Sequence, residues 1–205
     1  MPNNDEVEIN MKALLTIALA AVGAAAPTAV AAEATEKPLI VYLSRTQNTA
    51  AVARMIQQQT GGDLAELDTQ TPYPQNYRAT VEQVRRENER GYLPPLKPLA
   101  RDVRAYRTIY LGFPTWGMQL PPPVKSWLSR TDLRGKTVIP FNTYGGYGVG
   151  SGFDDVKRLC TGCTVLTGLS VKGGSERDGV KLAIRGAQTQ TVNRQVRAWL
   201  AGLPR

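Results

Sequence analysis

The chain has 205 residues, a net charge of +8, two cysteines and no histidine, and 42% of its residues are apolar. This length and apolar content fit one globular domain with a single core and a terminal tail. Without histidine the chain cannot build a Ser-His-Asp triad, a Cys-His dyad or a histidine-ligated metal site. Two cysteines alone cannot hold a zinc ion or an iron–sulfur cluster, so no catalytic or metal-binding residue is predicted.

The first 31 residues are predicted to be a secretory signal peptide. Lys12 precedes an uncharged, alanine-rich stretch, and Ala29-Val30-Ala31 has the small-x-small pattern of a cleavage site. Acidic residues before Met11 are atypical of a signal peptide, which makes Met11 a candidate for the true first residue. The alternative is an uncleaved membrane anchor, because residues 13–32 are just long enough to span a bilayer.

Cleavage would leave residues 32–37 as a linker and residues 38–205 as the folded domain, periplasmic or otherwise exported, with no stable membrane insertion. The exported domain would carry a net charge of +10, because the removed segment contains three acids and one lysine. A basic domain favours an acidic partner protein, whereas nucleic acid is not expected because no binding motif is present. The densest basic stretch, residues 78–107, is predicted to be a solvated helix face, with a partner surface as the alternative.

Downstream of residue 37 the apolar pattern alternates between strand and helix. Continuous runs of β-forming residues predict strands at 39–43, 108–113 and 137–141, with shorter strands at 63–67 and from 164. Apolar residues at helical spacing predict helices at 48–59, 77–88, 121–128, 151–159 and 192–200. This alternation is typical of an α/β fold with a doubly wound parallel sheet between two helix layers. In such sheets the ligand lies at the carboxyl ends of the strands.

The loop after the first strand, Ser44-Arg45-Thr46-Gln47-Asn48-Thr49, is rich in hydroxyl and amide groups at the start of a helix. Backbone N–H groups and the helix dipole attract anions there, so the loop predicts a phosphate site. Its hydroxyls and the Asn48 amide would complete the site, and Arg45 is the only nearby charge. The alternative is ordinary capping of the helix by one polar side chain.

Two further strand-end loops combine aromatic residues with glycine. Pro114-Thr115-Trp116-Gly117-Met118 follows one strand, and Asn142-Thr143-Tyr144-Gly145-Gly146-Tyr147-Gly148 follows the next. Glycine lets a backbone approach a ligand closely, and aromatic faces hold a planar ring system. The alternatives are a core or lid role for Trp116 and a mobile turn for the second loop.

These three loops, in this order and spacing, resemble those of the flavodoxin family. Ser-x-Thr-x-Asn-Thr at 44–49 is similar to the phosphate loop, with Gln47 where the family usually has glycine. Gly-Phe-Pro-Thr-Trp-Gly at 112–117 and Phe-Asn-Thr-Tyr-Gly-Gly-Tyr-Gly at 141–148 resemble the loops on either side of the flavin. The resemblance covers residues 38–203 and implies a five-stranded sheet in the order 2-1-3-4-5 with noncovalently bound FMN.

The resemblance also implies residue roles. The FMN phosphate would be held by Ser44, Thr46, Asn48 and Thr49. The isoalloxazine ring would lie between two loops, with Thr115, Trp116 and Gly117 on one side and Thr143, Tyr144, Gly145 and Tyr147 on the other. The candidate cofactor-binding set is completed by Arg45, Gln47, Pro114, Asn142 and Gly146.

The implied function is electron transfer to a redox partner protein. Flavodoxins are generally acidic and cytoplasmic, so a basic, exported member is expected to have a different, acidic partner. One alternative is an NAD(P)H-dependent quinone or flavin oxidoreductase on the same fold, although no Gly-x-Gly-x-x-Gly motif is present. Another is a module of this shape that has lost FMN and binds a partner.

The two cysteines form the sequence Cys160-Thr161-Gly162-Cys163. In an oxidising compartment they are expected to form a structural disulfide, with free thiols or a redox-active pair as alternatives. The motif follows a helix rather than opening one, which withholds the dipole that lowers a cysteine pKa. The turn-rich residues 172–181 are interpreted as a hairpin or loop that interrupts the last strand.

Overall fold

The computed structural model of the protein describes residues 37–204, so the predicted signal peptide and nearly all of the predicted linker lie outside the described residues. The strands are β1 (Leu39–Tyr42), β2 (Asp63–Glu66), β3 (Thr108–Pro114), β4 (Thr137–Tyr144), β5 (Thr164–Val165) and β6 (Leu169–Lys172). The α-helices are α1 (Asn48–Thr60), α2 (Tyr77–Arg90), α3 (Pro122–Arg130), α4 (Gly152–Leu159) and α5 (Ala187–Ala201). Short 3-10 helices occur at Val103–Ala105 and Glu176–Asp178.

The strands form one parallel sheet in the order β2-β1-β3-β4, with β5 and β6 both beside β4. β5 pairs with the start of β4, where Thr137 lies opposite Thr164. β6 pairs with its end, where Phe141 lies opposite Leu169. The two short strands are therefore successive pieces of one fifth strand, and the predicted order 2-1-3-4-5 is confirmed.

Pro140 accounts for the break in the fifth strand. The backbone of β4 bonds the fifth strand at Val138, whose C=O accepts from the Leu166 N–H (3.0 Å), and at Tyr144, whose C=O accepts from the Gly173 N–H (2.8 Å). Backbone groups two residues apart in a strand point to the same side, so Pro140 also faces the fifth strand, but it has no N–H to donate. The interruption therefore lies at residues 166–168. Residues 172–181 do form a turn-rich loop, with an antiparallel bridge between Ser175 and Val180, but the prediction that it interrupts the strand is wrong, because the loop follows β6 and leads into α5.

Helices cover both faces of the sheet, as predicted. On one face α1 and α5 pack through residues such as Ile56 and Val196 against Ile40 and Phe141. On the other face α3 and α4 pack against the strand side chains that point the opposite way, including Leu111. Within residues 37–204, no helix has both the length and the apolar character that crossing a membrane requires.

Candidate functional site

A cleft lies at the carboxyl edge of the sheet, where the loops after β1, β3, β4 and β6 meet. Most of the predicted residues line it: Arg45, Thr46, Asn48, Pro114, Thr115, Trp116, Gly117, Thr143, Tyr144, Gly145, Gly146 and Tyr147. Ser44 and Gln47 line a neighbouring hollow, and Thr49 and Asn142 are buried behind the cleft surface. Lining residues outside the predicted set are Tyr77, Met118, Gly148, Gly173, Gly174, Ser175, Glu176 and Arg177.

The loop before α1 presents hydroxyl groups at the start of that helix. The Ser44 Oγ accepts a hydrogen bond from the Ala50 N–H (3.1 Å), and the Thr46 Oγ1 accepts one from the Asn48 Nδ2 (2.9 Å). Each hydroxyl thus acts as an acceptor toward the protein and keeps its own hydrogen for another partner. The first N–H groups of a helix have no partner inside the helix, so this end of the cleft is suited to an anion. Ser44 therefore agrees with both interpretations of this loop. Its hydroxyl lies at the predicted phosphate position, and it also caps the helix by accepting the Ala50 N–H.

Gln47 precedes α1 in a left-handed conformation, with φ +65°. Side chains other than glycine rarely adopt this conformation, which costs roughly 1–2 kcal/mol. The chain therefore keeps the backbone turn that glycine would provide at this position while carrying a glutamine.

Asn48 joins the first loop to the connection between β6 and α5. Its Nδ2 donates to the Lys181 C=O (2.7 Å), and its Oδ1 accepts from the N–H groups of Ala183 (3.0 Å) and Ile184 (3.2 Å). The side chain is 2% exposed and uses its hydrogen-bonding groups within the protein. Asn48 thus shapes the cleft by fixing two loops.

Arg45 is also held by the protein. Its guanidinium donates to Glu176 (2.7 Å) and to the C=O groups of Pro74 (2.9 Å) and Gln75 (2.9 Å). The only charged group that the sequence placed in the first loop is therefore paired with a carboxylate. As a result, the side-chain donors left at the start of α1 are uncharged.

The loops after β3 and β4 are bonded to each other. The Asn142 side chain donates to the Phe113 C=O (3.0 Å) and accepts from the Ser170 hydroxyl (3.0 Å), which joins β3, β4 and β6. The Thr143 hydroxyl bonds the Thr49 hydroxyl (2.8 Å) below the cleft. Asn142 therefore joins the ends of β3 and β4 beneath the aromatic loops, and Thr143 joins β4 to α1.

Residues 116–119 form a tight turn at the cleft. Gly117 and Met118 have φ values of +59° and +61°, and the Gln119 N–H donates to the Trp116 C=O (3.1 Å). Positive φ at both central residues is typical of a type I′ turn. The Met118 C=O accepts from the Ser151 N–H (3.0 Å), which joins the turn to the loop before α4.

The Trp116 indole packs edge-on against Tyr73, with ring centroids 5.1 Å apart and planes at 68°. The Tyr73 hydroxyl in turn donates to the buried Glu87 carboxylate. Burial, followed by this hydrogen bond, raises the pKa of Tyr73. Sequence reasoning missed Tyr73 and Glu87, because Tyr73 lies in the loop after β2, which was not among the three loops selected as the site, and Glu87 lies inside α2.

At the opposite rim, Tyr147 is 73% exposed and lies under a cation. The Arg177 guanidinium donates to its hydroxyl (2.9 Å) and lies 5.5 Å from its ring centroid. Arg177 comes from the 3-10 helix after β6, a connection that the sequence patterns did not assign to the site. Together, Tyr147 and Arg177 close the outer side of the cleft.

The structure bonds Cys160 to Cys163, with their Cα atoms 5.7 Å apart. The disulfide lies between the end of α4 and the start of β5, at the amino edge of the sheet. It is therefore at the opposite end of the strands from the cleft.

Comparison with known proteins identifies a matching family and similar solved structures. Residues 37–185 match the profile of a family described as Flavodoxin. No curated protein sequence matches the chain.

Three solved structures show the same fold. A candidate flavoprotein from Bacteroides eggerthii is 24% identical, with a TM-score of 0.63 over 80% of this chain and 96% of its own. One from Bacteroides uniformis is 22% identical, with a TM-score of 0.60 over 80% and 97%. A flavoprotein from Lactobacillus acidophilus, solved in complex with FMN, is 21% identical, with a TM-score of 0.59 over 66% and 93%.

Proposed function

Because this chain belongs to the flavodoxin family, we propose that its cleft binds FMN noncovalently and that the protein acts in electron transfer. The observation that carries the proposal is the convergence of three loops on one cleft, the hydroxyl-rich helix start and the two aromatic loops. The structurally similar Lactobacillus acidophilus protein in complex with FMN supports the choice of cofactor.

The residues present fit a phosphate joined to a flat ring system. Ser44 and Thr46 keep hydroxyl hydrogens for a phosphate at the start of α1. Trp116, Tyr144 and Tyr147 line the cleft as aromatic walls for the ring. Bound FMN would supply the redox chemistry, while the protein would bind it, orient it and set its surroundings.

The arginines that line the cleft are bonded to neighbouring carboxylates. Among the described residues that line the cleft, Arg45 is paired with Glu176 (2.7 Å) and Arg177 with Asp178 (3.0 Å). General acid–base catalysis requires a group within hydrogen-bond reach of the reacting atom and with a matched pKa. Paired side chains of this kind serve binding and shape.

FMN binding is tested by titrating the purified protein with FMN and following the visible spectrum. We expect Thr46→Val to weaken FMN binding by about 10-fold or more, because a hydrogen bond to a charged group contributes roughly 1.5–3 kcal/mol. Riboflavin, which lacks the phosphate, should bind the variant and the parent protein equally. Thr161→Val, an exposed threonine at the other edge of the sheet, is the matched control.

A colourless protein that takes up no added FMN would disprove the cofactor assignment. Electron transfer is tested anaerobically on the FMN-loaded protein. A carrier should be reduced by dithionite and only slowly by NADH or NADPH alone, whereas rapid bleaching by either nucleotide would favour the oxidoreductase alternative.

We further propose that the protein is exported and meets an acidic redox partner outside the cytoplasm. Disulfides persist in oxidising compartments, which agrees with the Cys160–Cys163 bond. The test is amino-terminal sequencing of the protein from a periplasmic fraction, with a start near Ala32 as the expected result. Recovery of an uncleaved chain only from membranes would contradict it.

A further inference from the structure

A groove continues from the cleft and runs between α2 and the turn at residues 116–119. The groove and the cleft share Tyr77, Trp116 and Gly117, so the two spaces meet at the proposed position of the flavin ring. The groove walls include the side chains of Val81 and Val84 from the same face of α2. Val81 is 48% exposed and Tyr77 is 39% exposed, so apolar surface faces open space beside the cleft.

Lys125 fixes two amide side chains that line this groove. Its Nζ donates to the Asn88 Oδ1 (3.0 Å) and to the Gln119 Oε1 (3.0 Å). An ammonium group has no acceptor, so each amide must turn its oxygen toward Lys125. The Asn88 Nδ2 and the Gln119 Nε2 are thereby left as donors, and both residues line the groove.

The side-chain amide nitrogen of Asn88 lies where the groove meets the cleft. Its Nδ2 is 3.7 Å from the point that a Cβ on Gly117 would occupy. Within residues 37–204, neither amide nitrogen has a hydrogen-bond partner. Two amide side chains with free N–H donors thus line a groove with apolar walls.

Charged side chains at the mouth of the groove are paired. Arg45 bonds Glu176 at 2.7 Å, and Arg85 bonds Glu89 at 2.5 Å. These pairs leave no net charge at the mouth of the groove, and the Lys125 ammonium behind the two amides favours a ligand that presents an electron-rich oxygen. Apolar walls favour a flat hydrocarbon body, and the two amides require an oxygen that accepts hydrogen bonds.

We propose that this groove binds a small, flat, uncharged carbonyl compound next to the flavin position. Its ring body contacts Trp116 and Val81, and its carbonyl oxygen accepts hydrogen bonds from the Asn88 and Gln119 amides. A redox role for this ligand rests on the proposed function, because it requires FMN in the neighbouring cleft. Binding of the ligand itself depends only on the groove.

The experiment compares two probes that share one ring system, 1,4-naphthoquinone and naphthalene. Each is titrated into the FMN-saturated, ¹⁵N-labelled protein, and binding is followed by the side-chain amide signals of Asn88 and Gln119. We expect naphthoquinone to bind at least about 10-fold more tightly than naphthalene and to shift both amide signals. The quinone oxygens account for this difference in affinity. Naphthalene would cover the two amide N–H groups without offering an acceptor, and leaving a buried donor unpaired costs free energy.

Two variants remove the donors while keeping the side-chain shape. Asn88→Asp and Gln119→Glu should each reduce the preference for naphthoquinone to less than about twofold, with naphthalene affinity unchanged. Gln58→Glu, on the exposed face of α1, is the matched control and should keep the full preference.

Equal binding of the two probes by the parent protein, or a full preference in both variants, would overturn the assignment. FMN uptake is measured separately by the visible spectrum. If the protein binds no FMN, the proposed function fails, and the same titrations on the FMN-free protein still decide whether the groove recognises carbonyl compounds.

Discussion

The two edges of the sheet differ in the restraints that hold their loops. At the carboxyl edge, the buried amides of Asn48 and Asn142 each bond segments that are far apart in sequence. At the amino edge, the contacts include exposed pairs between neighbours, such as Asp132 with Arg134 (2.8 Å), and the Cys160–Cys163 disulfide. Exposed ion pairs contribute about 0–1 kcal/mol each, so the covalent bond is the stronger restraint there.

This difference shows how a ligand site is kept open. A cleft cannot be held by apolar packing across its own space, so the loops around it are fixed from behind by fully bonded polar side chains. Such networks are stabilising only when every member is satisfied, and removing one leaves its partners unpaired. We propose no ligand at the amino edge, so its loops do not have to be held around an open space.

The largest effect is expected at Asn48. We predict that Asn48→Ala lowers the free energy of unfolding by about 3 kcal/mol, because it leaves the buried N–H of Ile184 and the partly buried N–H of Ala183 without an acceptor. The measurement is urea unfolding of the FMN-free protein. FMN affinity should fall as well, since the first loop and the last connection would separate.

The matched control is Asn193 in α5. Its Oδ1 is buried and has no hydrogen-bond partner within the described residues. Asn193→Ala should therefore leave stability within about 0.5 kcal/mol of the parent protein or raise it, because it removes an unpaired acceptor. Equal losses at the two asparagines would show that the hydrogen bonds of Asn48 are not the source of its effect.

A smaller effect is expected from the disulfide. Replacing both cysteines with serine should lower the free energy of unfolding by about 2 kcal/mol, the loop-entropy value for a closed loop of four residues. FMN affinity should stay unchanged, because the bond lies at the opposite edge from the cleft. Reductant should destabilise the parent protein and leave the serine variant unaffected, and a loss of FMN affinity would contradict the separation of the two edges.

The smallest effect is expected at Gln47. Gln47→Gly should raise the free energy of unfolding by about 0.5–1 kcal/mol, because relief of the left-handed strain exceeds the entropy that glycine adds to the unfolded chain. Gln57→Gly, inside α1, should instead lower it by about 1 kcal/mol. Both are measured by thermal unfolding, and destabilisation by Gln47→Gly would show that the glutamine side chain makes a compensating contact.

The elements that the sequence predicted well are those with local signals. Apolar runs such as 108–113 identify buried strands, and polar or glycine-rich loops at their carboxyl ends identify the cleft. The flavodoxin resemblance of these loops is confirmed by the family match over residues 37–185.

The missed elements depend on contacts between distant residues. Asn48 and Lys181 are 133 positions apart, and nothing in the local sequence of either indicates their bond. The break in the fifth strand follows from Pro140 in the neighbouring strand rather than from residues 166–168 themselves. The orientation of Asn88 likewise depends on Lys125, a residue on a different helix.

The bonds of Asn48 also bear on the route by which a ligand would enter and leave the cleft. The Asn48 bonds hold the first loop to the connection before α5 on the inner side of the cleft. The outer side is closed by the exposed Tyr147 and its contact with Arg177. We expect ligand exchange to proceed past Tyr147, so that the lifetime of the complex reflects the opening of one surface contact. The buried amides would then set how tightly the cleft holds its ligand, and the tyrosine how quickly it releases it.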